Sequence, residues 1–354
     1  MEIDEFQHPD SIWTWKSNKR GRKASLWIPY LDEINKVRGS KWKLFYNGGE
    51  LEIDLKTIDC IMIYGGTGEL PVLFLDQLGI HRIPMILHRR NMDAPALFLP
   101  APRPDADDAL GAQVTMRQNQ IKAAYVARTL VRLRFQSIDH YVQIPDRAWQ
   151  RFNQLRDVDE IRNHEARWAK RYWKAFFKEV NWPEGKRRED NPVSKALDAC
   201  SFFQYGVMLR WILAHRLSPH HGFLHRPTDY PSLVYDLLEP YRYIAEGAVI
   251  QTLKTVEPTN ANLTRFCLET IKRSMEETVY VPATRQSVRR KNLLHGAVLS
   301  LRAWVLGEMP RLVLPTEGEK IGGRPPKISY TLPGERIANK ERKVAPILKG
   351  TRGP

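Results

Sequence analysis

Two short stretches of this sequence carry side chains whose types and spacing could hold a hard divalent cation. The first is a helical pattern from Asp157 to Val180. Steps of about 100° per residue put Ile161, Glu165, Trp168, Tyr172 and Phe176 on one stripe, and Arg167, Lys170, Arg171, Lys174 and Lys178 on the opposite one. The inward stripe is apolar except for Glu165. A carboxylate among apolar neighbours is costly unless it is paired, hydrogen-bonded or bound to a cation. From this helix alone two readings stay open: a glutamate met by an arginine from another helix, or a metal ligand.

The second stretch is HHGFLHRPTDYPSLVYDLLEPYR, His220 to Arg242. Ser232, after Pro231, is the predicted N-cap of a helix whose core stripe is Leu233, Leu237, Tyr241, Ile244 and Ala248. Asp236, Glu239, Tyr243 and Glu246 lie away from that stripe, and Asp236 and Glu239, three apart, project together. Such an acidic pair is ordinarily a solvated face. Three features favour a cation instead: the chain is strongly basic, Pro240 interrupts the helix, and a histidine-rich loop precedes it. His220 and His221 are expected to cap the preceding apolar helix, whereas His225, past Gly222, can fold back toward Asp236 and Glu239. One imidazole with two or three carboxylates suits Mg²⁺ or Mn²⁺ better than zinc. Beside a basic helix, such an ion points to phosphodiester chemistry.

The elements that must position these residues follow from the pattern of the chain. Its 354 residues suit two domains. Short β-type runs (KLFYN, ELEIDL, CIMIYG, IPMILH) give way, after the proline-rich LPAPRPDADDALGA, to long helical periods. The expected fold is α+β, a β-rich N-terminal domain over residues 43–103 followed by an all-α helical domain over 111–314. Residues 1–42, with the basic run KSNKRGRK, read as an N-terminal extension, and residues 315–354 as a basic, flexible tail. Asn47-Gly48-Gly49 reads as a hairpin turn, and YGGTGELP as a strand-to-helix turn rather than a phosphate loop, since it lacks the Lys-Ser/Thr pair.

Composition narrows the function classes. Fifty-five Lys and Arg against 40 Asp and Glu give a formal charge of +15, a field that attracts polyanions, nucleic acid first among them. The basic stripe on the Glu165 helix, with Arg187 and Arg188, is the expected phosphate-contacting surface. No apolar run approaches the roughly 18–20 residues that cross a bilayer, and the polar amino terminus is unlike a secretory signal, so a cytoplasmic protein with no membrane partner is expected. Cys60, Cys200 and Cys267, far apart, read as buried free thiols.

Three blocks resemble the CRISPR-associated integrases of spacer acquisition: NHEARWAKRYWKAFF, NPVSKALDACSFFQYGVML and the His220–Arg242 stretch, whose Gly-Phe-Leu-His turn fixes the spacing of His, Asp and Glu. The likeness spans roughly residues 51–313. Ser194 departs from it, standing where the family has Asn. The resemblance implies a homodimer whose helical domain is catalytic, double-stranded DNA as substrate (spacer precursor and CRISPR repeat), and a small second CRISPR-associated protein as partner. It makes Glu165, His225 and Glu239 the ligands of Mg²⁺ or Mn²⁺, and Asp236 a further catalytic acid beside them. The implied reaction is attack of a 3′-hydroxyl on a repeat phosphodiester. The alternatives are a metal-dependent nuclease for branched or repair DNA, and a non-catalytic DNA-binding protein, which would be expected to lack one of the three ligands.

Overall fold

The computed structural model describes residues 13–15, 24–28, 30–46, 49–88, 95–101, 107–187, 189–319 and 330–333. The chain divides into two compact units, residues 1–106 and 107–354.

The first unit is built on β1 (Trp13–Trp15), β2 (Ala24–Ile28), β3 (Leu31–Arg38), β4 (Lys41–Tyr46), β5 (Gly49–Asp54), β6 (Ile58–Tyr64), α1 (Val72–His81), β7 (Met85–His88) and β8 (Ala96–Phe98). Five strands form a mixed sheet in the order β1-β2-β6-β7-β8, and β3-β4-β5 form an antiparallel meander. Both sheets contribute to one core around Leu26, Ile28, Trp42, Leu44, Ile61 and Phe74. β2 and β3 fall within residues 1–42, which the sequence reading set aside as an extension; β2 instead pairs in parallel with β6. Their signal was masked by the lysines and arginines around them, although ASLWI places Leu26 and Ile28 fully inside. The run KSNKRGRK lies outside the described residues.

The turn expectations at the glycines can be checked. Tyr46 stands opposite Gly49 in the β4–β5 register, as a tight hairpin requires; Asn47 and Gly48 themselves lie outside the described residues. Gly65-Gly66-Thr67 joins β6 toward α1 and is bonded to backbone on both sides, to Leu31 and to His88. A Cβ on Gly66 would sit 2.6 Å from the Leu31 carbonyl, so glycine is needed for close strand contact, not to cradle an anion.

The second unit contains α2 (Ala109–Gln118), α3 (Gln120–Val142), α4 (Asp146–Gln154), α5 (Val158–Glu179), α6 (Pro192–Ala214), α7 (Ser232–Leu238), α8 (Arg242–Leu253), α9 (Leu263–Glu276) and α10 (Lys291–Val305). It is not all helix: β9 (Thr278–Val281) and β10 (Gln286–Arg289) make an antiparallel hairpin between α9 and α10. α5 begins where the Asp157 carboxylate accepts the N–H groups of Asp159 and Glu160, and buries Ile161, Trp168, Tyr172 and Phe176. α6 is buried almost all round and forms the centre of this unit. Cys60, Cys200 and Cys267 are free and buried. Among the described residues no helix is long and apolar enough to cross a membrane.

The residues after Pro315 depart from the expectation of a loose tail. Tyr241 Oη donates to the Pro315 carbonyl at 2.8 Å, and Glu317 accepts from Tyr243 and Arg290, each at 2.7 Å. Gln286 exchanges hydrogen bonds with the Thr331 backbone, and Tyr330 and Leu332 are buried. The Tyr330 ring, which a Cβ on Gly296 of α10 would meet at 2.8 Å, helps to dock a segment whose average composition is polar. Residues 334–354 lie outside the described residues.

Between α6 and α10, His215 and His295 stack and share a 2.7 Å contact between their Nε2 atoms. Burial first pushes both imidazoles down; for His215 the charge of His295 comes next, then those of Arg302 and Arg210, and for His295, which falls to about 3, that of Arg210. The unfolded chain therefore takes up protons below about pH 6.5 that the folded chain refuses. Stability from this pair is fully present above that pH and is lost as pH falls, by up to about 1.4 kcal/mol per unit and histidine. The expected result is a melting temperature that drops between about pH 6.5 and pH 5, with a shallower drop in His295→Gln. An identical pH slope in that variant would show that the pair does not set it.

Candidate functional site

The stretch from His220 to Arg242 folds around Asp236. This side chain is fully buried on α7, and its carboxylate accepts the backbone N–H groups of Phe223, Leu224 and His225 at 2.5, 2.8 and 2.9 Å. Its Oδ1 also lies 2.8 Å from His225 Nδ1. A carboxylate that accepts from three backbone amides is held as an acceptor, so His225 carries its proton on Nδ1 and leaves Nε2 as the basic nitrogen. Asp236 is thus occupied by the loop. Its hydrogen bonds hold both the loop backbone and the His225 ring.

Gly222 permits this closure. A Cβ there would stand 2.6 Å from the His225 carbonyl and 2.8 Å from Asp236 Oδ2. Ser232 is the first residue of α7, not its cap: its Oγ accepts from the Gly222 N–H and donates to the His220 carbonyl, both at 3.0 Å. From α2, Gln113 bonds Ser218 and His221, and Arg117 bonds the carbonyls of Gly222 and Arg226. His220 and His221 do not cap the apolar helix α6, which ends at Ala214. They sit in the following loop, where His221 Nδ1 meets Ser218 Oγ at 2.7 Å.

α7 ends at Leu238, and a single 3₁₀ turn, Glu239–Tyr241, leads into α8. Pro240 lacks the N–H that would continue the α-helical ladder, which accounts for the break. Glu239 is buried at this turn. Arg242 Nη2 donates to its Oε1 at 2.7 Å, while its Oε2 is buried without a partner. The acidic positions on this stretch are therefore not a solvated face: Asp236, Glu239 and Glu246 are all buried.

Glu165, on α5, is half-buried, and no hydrogen bond or ion pair among the described residues holds its carboxylate. Burial first, then the negative charge of Glu239, push it up to about 7, against the positive charges of Arg242, Arg134 and His225. His225 feels the same group of charges. Burial alone would lower it, but the Asp236 hydrogen bond and the charges of Asp236 and Glu239 outweigh that and raise it. Glu165, His225 and Glu239 thus form one electrostatic unit.

The arginine partner considered for Glu165 belongs to another glutamate. Arg134 of α3 grips Glu246 of α8 with two hydrogen bonds of 2.8 and 2.7 Å, and Tyr172 Oη donates to the same carboxylate at 2.8 Å. That network is complete and buried. Glu165 is left over.

The expected DNA-contacting stripe lies where the periodicity put it: Arg167, Lys170, Arg171, Lys174 and Lys178 are all exposed along α5. Arg187 is partly committed elsewhere, paired with Asp198 at 2.6 Å, and Arg188 lies outside the described residues. Ser194 Oγ donates to the Lys186 carbonyl and takes no part in the site. Sequence reasoning missed Gln113, Arg117, Arg134 and Arg242; of these only Arg242, three residues past Glu239, carried a local signal.

Among the described residues, no group of three or more His, Cys, Asp or Glu side chains is already arranged as a metal cage. Arg242 already holds one Glu239 oxygen. The donors nonetheless fit a hard cation: a buried carboxylate oxygen without a partner, an imidazole with a fixed tautomer, and an unbonded carboxylate.

Comparison with known proteins gives a consistent picture. A CRISPR-associated endonuclease of Pyrobaculum aerophilum is 31% identical over 110 residues, 30% of this chain and 36% of the relative. The chain's matches span less than half the length of such curated relatives. Among solved structures, a casposase bound to integration product has a TM-score of 0.65 at 18% identity, covering 81% of this chain and 92% of its own. A Cas1 protein from Thermotoga maritima has the same TM-score and identity, covering 80% and 97%. A Cas6-RT-Cas1–Cas2 complex scores 0.67 at 11% identity, covering 84% of this chain and 36% of the other. At such identities these likenesses establish the shared fold. The model of the family described as CRISPR associated protein Cas1 matches residues 34–265, through both sheets' central strands and the whole His220–Arg242 stretch, and the chain belongs to that family.

Proposed function

We propose that this chain is a divalent-metal-dependent DNA integrase and endonuclease of CRISPR adaptation, which joins the 3′-hydroxyl ends of new spacer DNA to the CRISPR repeat. The feature that supports this reading is the mutual electrostatic influence of Glu165, Glu239 and the Asp236-held His225, beside a buried Glu239 oxygen without a partner. Glu165, His225 and Glu239 would hold Mg²⁺ or Mn²⁺. The ion would polarise the scissile phosphate and stabilise charge on the attacking or leaving oxygen.

The residues of the chain supply the rest. Asp236 keeps the His225 proton on Nδ1, so that Nε2 faces away from it as a donor of electrons. Arg242, about a third exposed, adds positive charge beside Glu239, where the charge of a phosphate must be accommodated. In the reaction the spacer 3′-oxygen bonds to phosphorus as the bond from phosphorus to the repeat 3′-oxygen breaks. The proton lost by the first hydroxyl is balanced by the one gained by the second. One phosphodiester replaces another, so no external energy source is needed. With water as nucleophile the same site cuts DNA, which fits the endonuclease named in the relative.

The casposase caught with its integration product supports DNA as the substrate, and the Cas1–Cas2 complex supports the small second adaptation protein as a partner. A homodimer and a cytoplasmic location belong to the same reading. The test uses the purified chain, a repeat-bearing plasmid and short duplex DNA with Mn²⁺ or Mg²⁺. Joined product is expected with 3′-hydroxyl ends and none with 3′-deoxy ends. Cutting that is indifferent to the 3′ end would instead favour a nuclease for branched or repair DNA.

The basic face of α5 should bind phosphates rather than bases. Each phosphate contact contributes about 0.9 to the slope of log affinity against log salt. Lys170→Ala, Lys174→Ala and Lys178→Ala together are expected to lower that slope by roughly 2–3 for duplex DNA, with little change in sequence preference. An unchanged slope would remove this face from the DNA path.

A further inference from the structure

Glu239 sits on a single 3₁₀ turn between α7 and α8, where Pro240 breaks the helical ladder. One such turn has poorer hydrogen-bond geometry than an α-helix and little stability of its own. The position of its carboxylate therefore depends on what grips the turn from outside.

The grips converge on residues 239–243. Arg242 Nη2 holds Glu239 Oε1 at 2.7 Å. From α6, the buried Gln204 side chain donates through Nε2 to the Tyr241 carbonyl at 2.7 Å. From the segment after α10, the Pro315 carbonyl accepts from Tyr241 Oη at 2.8 Å, and Glu317 Oε1 accepts from Tyr243 Oη at 2.7 Å. Tyr241 is thus held at both its carbonyl and its hydroxyl, and the two tyrosines flank Arg242.

Residues 315–318 form a strap that is itself fastened. Arg290 donates to Glu317 through Nε at 2.7 Å and Nη2 at 3.2 Å, and through Nη1 to Ser274 and Glu277 at the end of α9. The Gly318 N–H donates to the Tyr280 carbonyl of β9 at 3.0 Å. Two glycines open this path. A Cβ on Gly318 would stand 2.3 Å from Pro282 Cγ, and one on Gly296 of α10 would stand 3.0 Å from Pro315 Cγ.

A buried tyrosine hydroxyl needs an acceptor wherever it lies, so one such bond would mean little. Here both acceptors lie 74 residues further along the chain, and they meet the turn on either side of the arginine that holds Glu239. We propose that the Pro315–Gly318 strap positions the Glu239 turn for metal binding, with Tyr241, Tyr243 and Glu317 as positioning residues that act through Arg242 and Glu239. This rests on the reading of Glu165, His225 and Glu239 as ligands of one ion.

The test uses the full chain. Mn²⁺ is titrated calorimetrically without DNA, well below the melting temperature, and strand transfer is then measured over a range of Mn²⁺. Tyr241→Phe keeps the ring and loses only the hydroxyl, and Glu317→Ala removes the acceptor of Tyr243. Each is expected to weaken Mn²⁺ binding about 10-fold or more, as loss of an outer partner does to a metal ligand. The Mn²⁺ needed for half-maximal strand transfer should rise by the same factor. Glu317→Gln keeps an oxygen for Tyr243 and is expected to recover most of the affinity lost in Glu317→Ala. Thr252→Val removes a buried hydroxyl bond to Thr270 further along the same helix. It is expected to lower the melting temperature and leave Mn²⁺ affinity unchanged.

Mn²⁺ affinity equal to the parent's in Tyr241→Phe and Glu317→Ala overturns the proposal, whatever their melting temperatures. An equal loss in Thr252→Val overturns it too, by making the effect one of general stability. Glu239→Gln separates the two levels of the argument. Mn²⁺ binding that this variant does not weaken removes the ligand reading and the strap's role with it. Dependence on Glu239 without dependence on Tyr241 or Glu317 removes the strap alone. Should Glu317→Ala fail to fold, Tyr243→Phe removes the same bond from the other side and carries the same test.

Discussion

Glu165→Gln, His225→Ala and Glu239→Gln are each expected to reduce metal-dependent strand transfer about a thousandfold or more while leaving duplex affinity nearly unchanged. The size follows from the several kcal/mol of charge stabilisation that an ion supplies at a phosphoryl centre, at about 1.4 kcal/mol per decade of rate. The insensitivity of binding follows from its proposed source, the exposed lysines and arginines of α5. Asp236→Asn should behave differently from all three. Its amide cannot accept from Phe223, Leu224, His225 and the His225 ring without turning an N–H toward one of them. Expected is a loss of about 10- to 100-fold in activity or metal affinity, accompanied by a lower melting temperature that Glu165→Gln does not show. His221→Ala should keep most activity, since among the described residues the hydrogen bond of its ring is to Ser218 Oγ rather than to Glu165 or Glu239. Strand transfer, anisotropy and melting, measured on the same preparations, separate these outcomes. Normal integration by Glu165→Gln and Glu239→Gln would end the metal mechanism.

The second large effect concerns stability. Arg134→Met leaves the Glu246 carboxylate buried with only Tyr172 for company. Removing one partner of a buried ion pair costs about 3–5 kcal/mol, because the remaining charge is uncompensated. For a unit of this size that is a fall of roughly 6–20 °C in melting temperature. The double variant Arg134→Met with Glu246→Gln removes the stranded charge and keeps an acceptor for Tyr172, so it should recover much of the loss. A single variant that melts within a few degrees of the parent would show that water reaches this network.

These contrasts also explain what could be read from the sequence. Glu165 was legible because a helix of 3.6 residues per turn placed it, alone among acids, on an apolar stripe. His225 and Glu239 were legible through one short stretch with a turn glycine and a helix-breaking proline. Asp236 was legible as a member of that stretch but not in its role. Which oxygen accepts from which amide depends on a loop closing back over 11–13 residues. Glu246 and Arg134 are 112 residues apart, and neither helix alone shows that they meet. The strands missed were those without local cues. Thr278–Val281 and Gln286–Arg289 are four residues each and joined by a 3₁₀ turn rather than an Asn-Gly hairpin. β2 was hidden by the basic residues before it, and the docking of Tyr330 and Leu332 by the polar residues around them.

The hydrogen bonds that Asp236 makes to residues 223–225 have a consequence for how an ion would arrive. A loop that must be ordered by its ligand loses conformational freedom at the moment of binding, and affinity falls accordingly. Here that freedom is surrendered earlier, when α7 forms and its one buried carboxylate fastens the loop's backbone. Loading should therefore be a single fast step with little rearrangement of Gly222–His225, and the amides of Phe223 and Leu224 should resist hydrogen exchange equally with and without Mn²⁺.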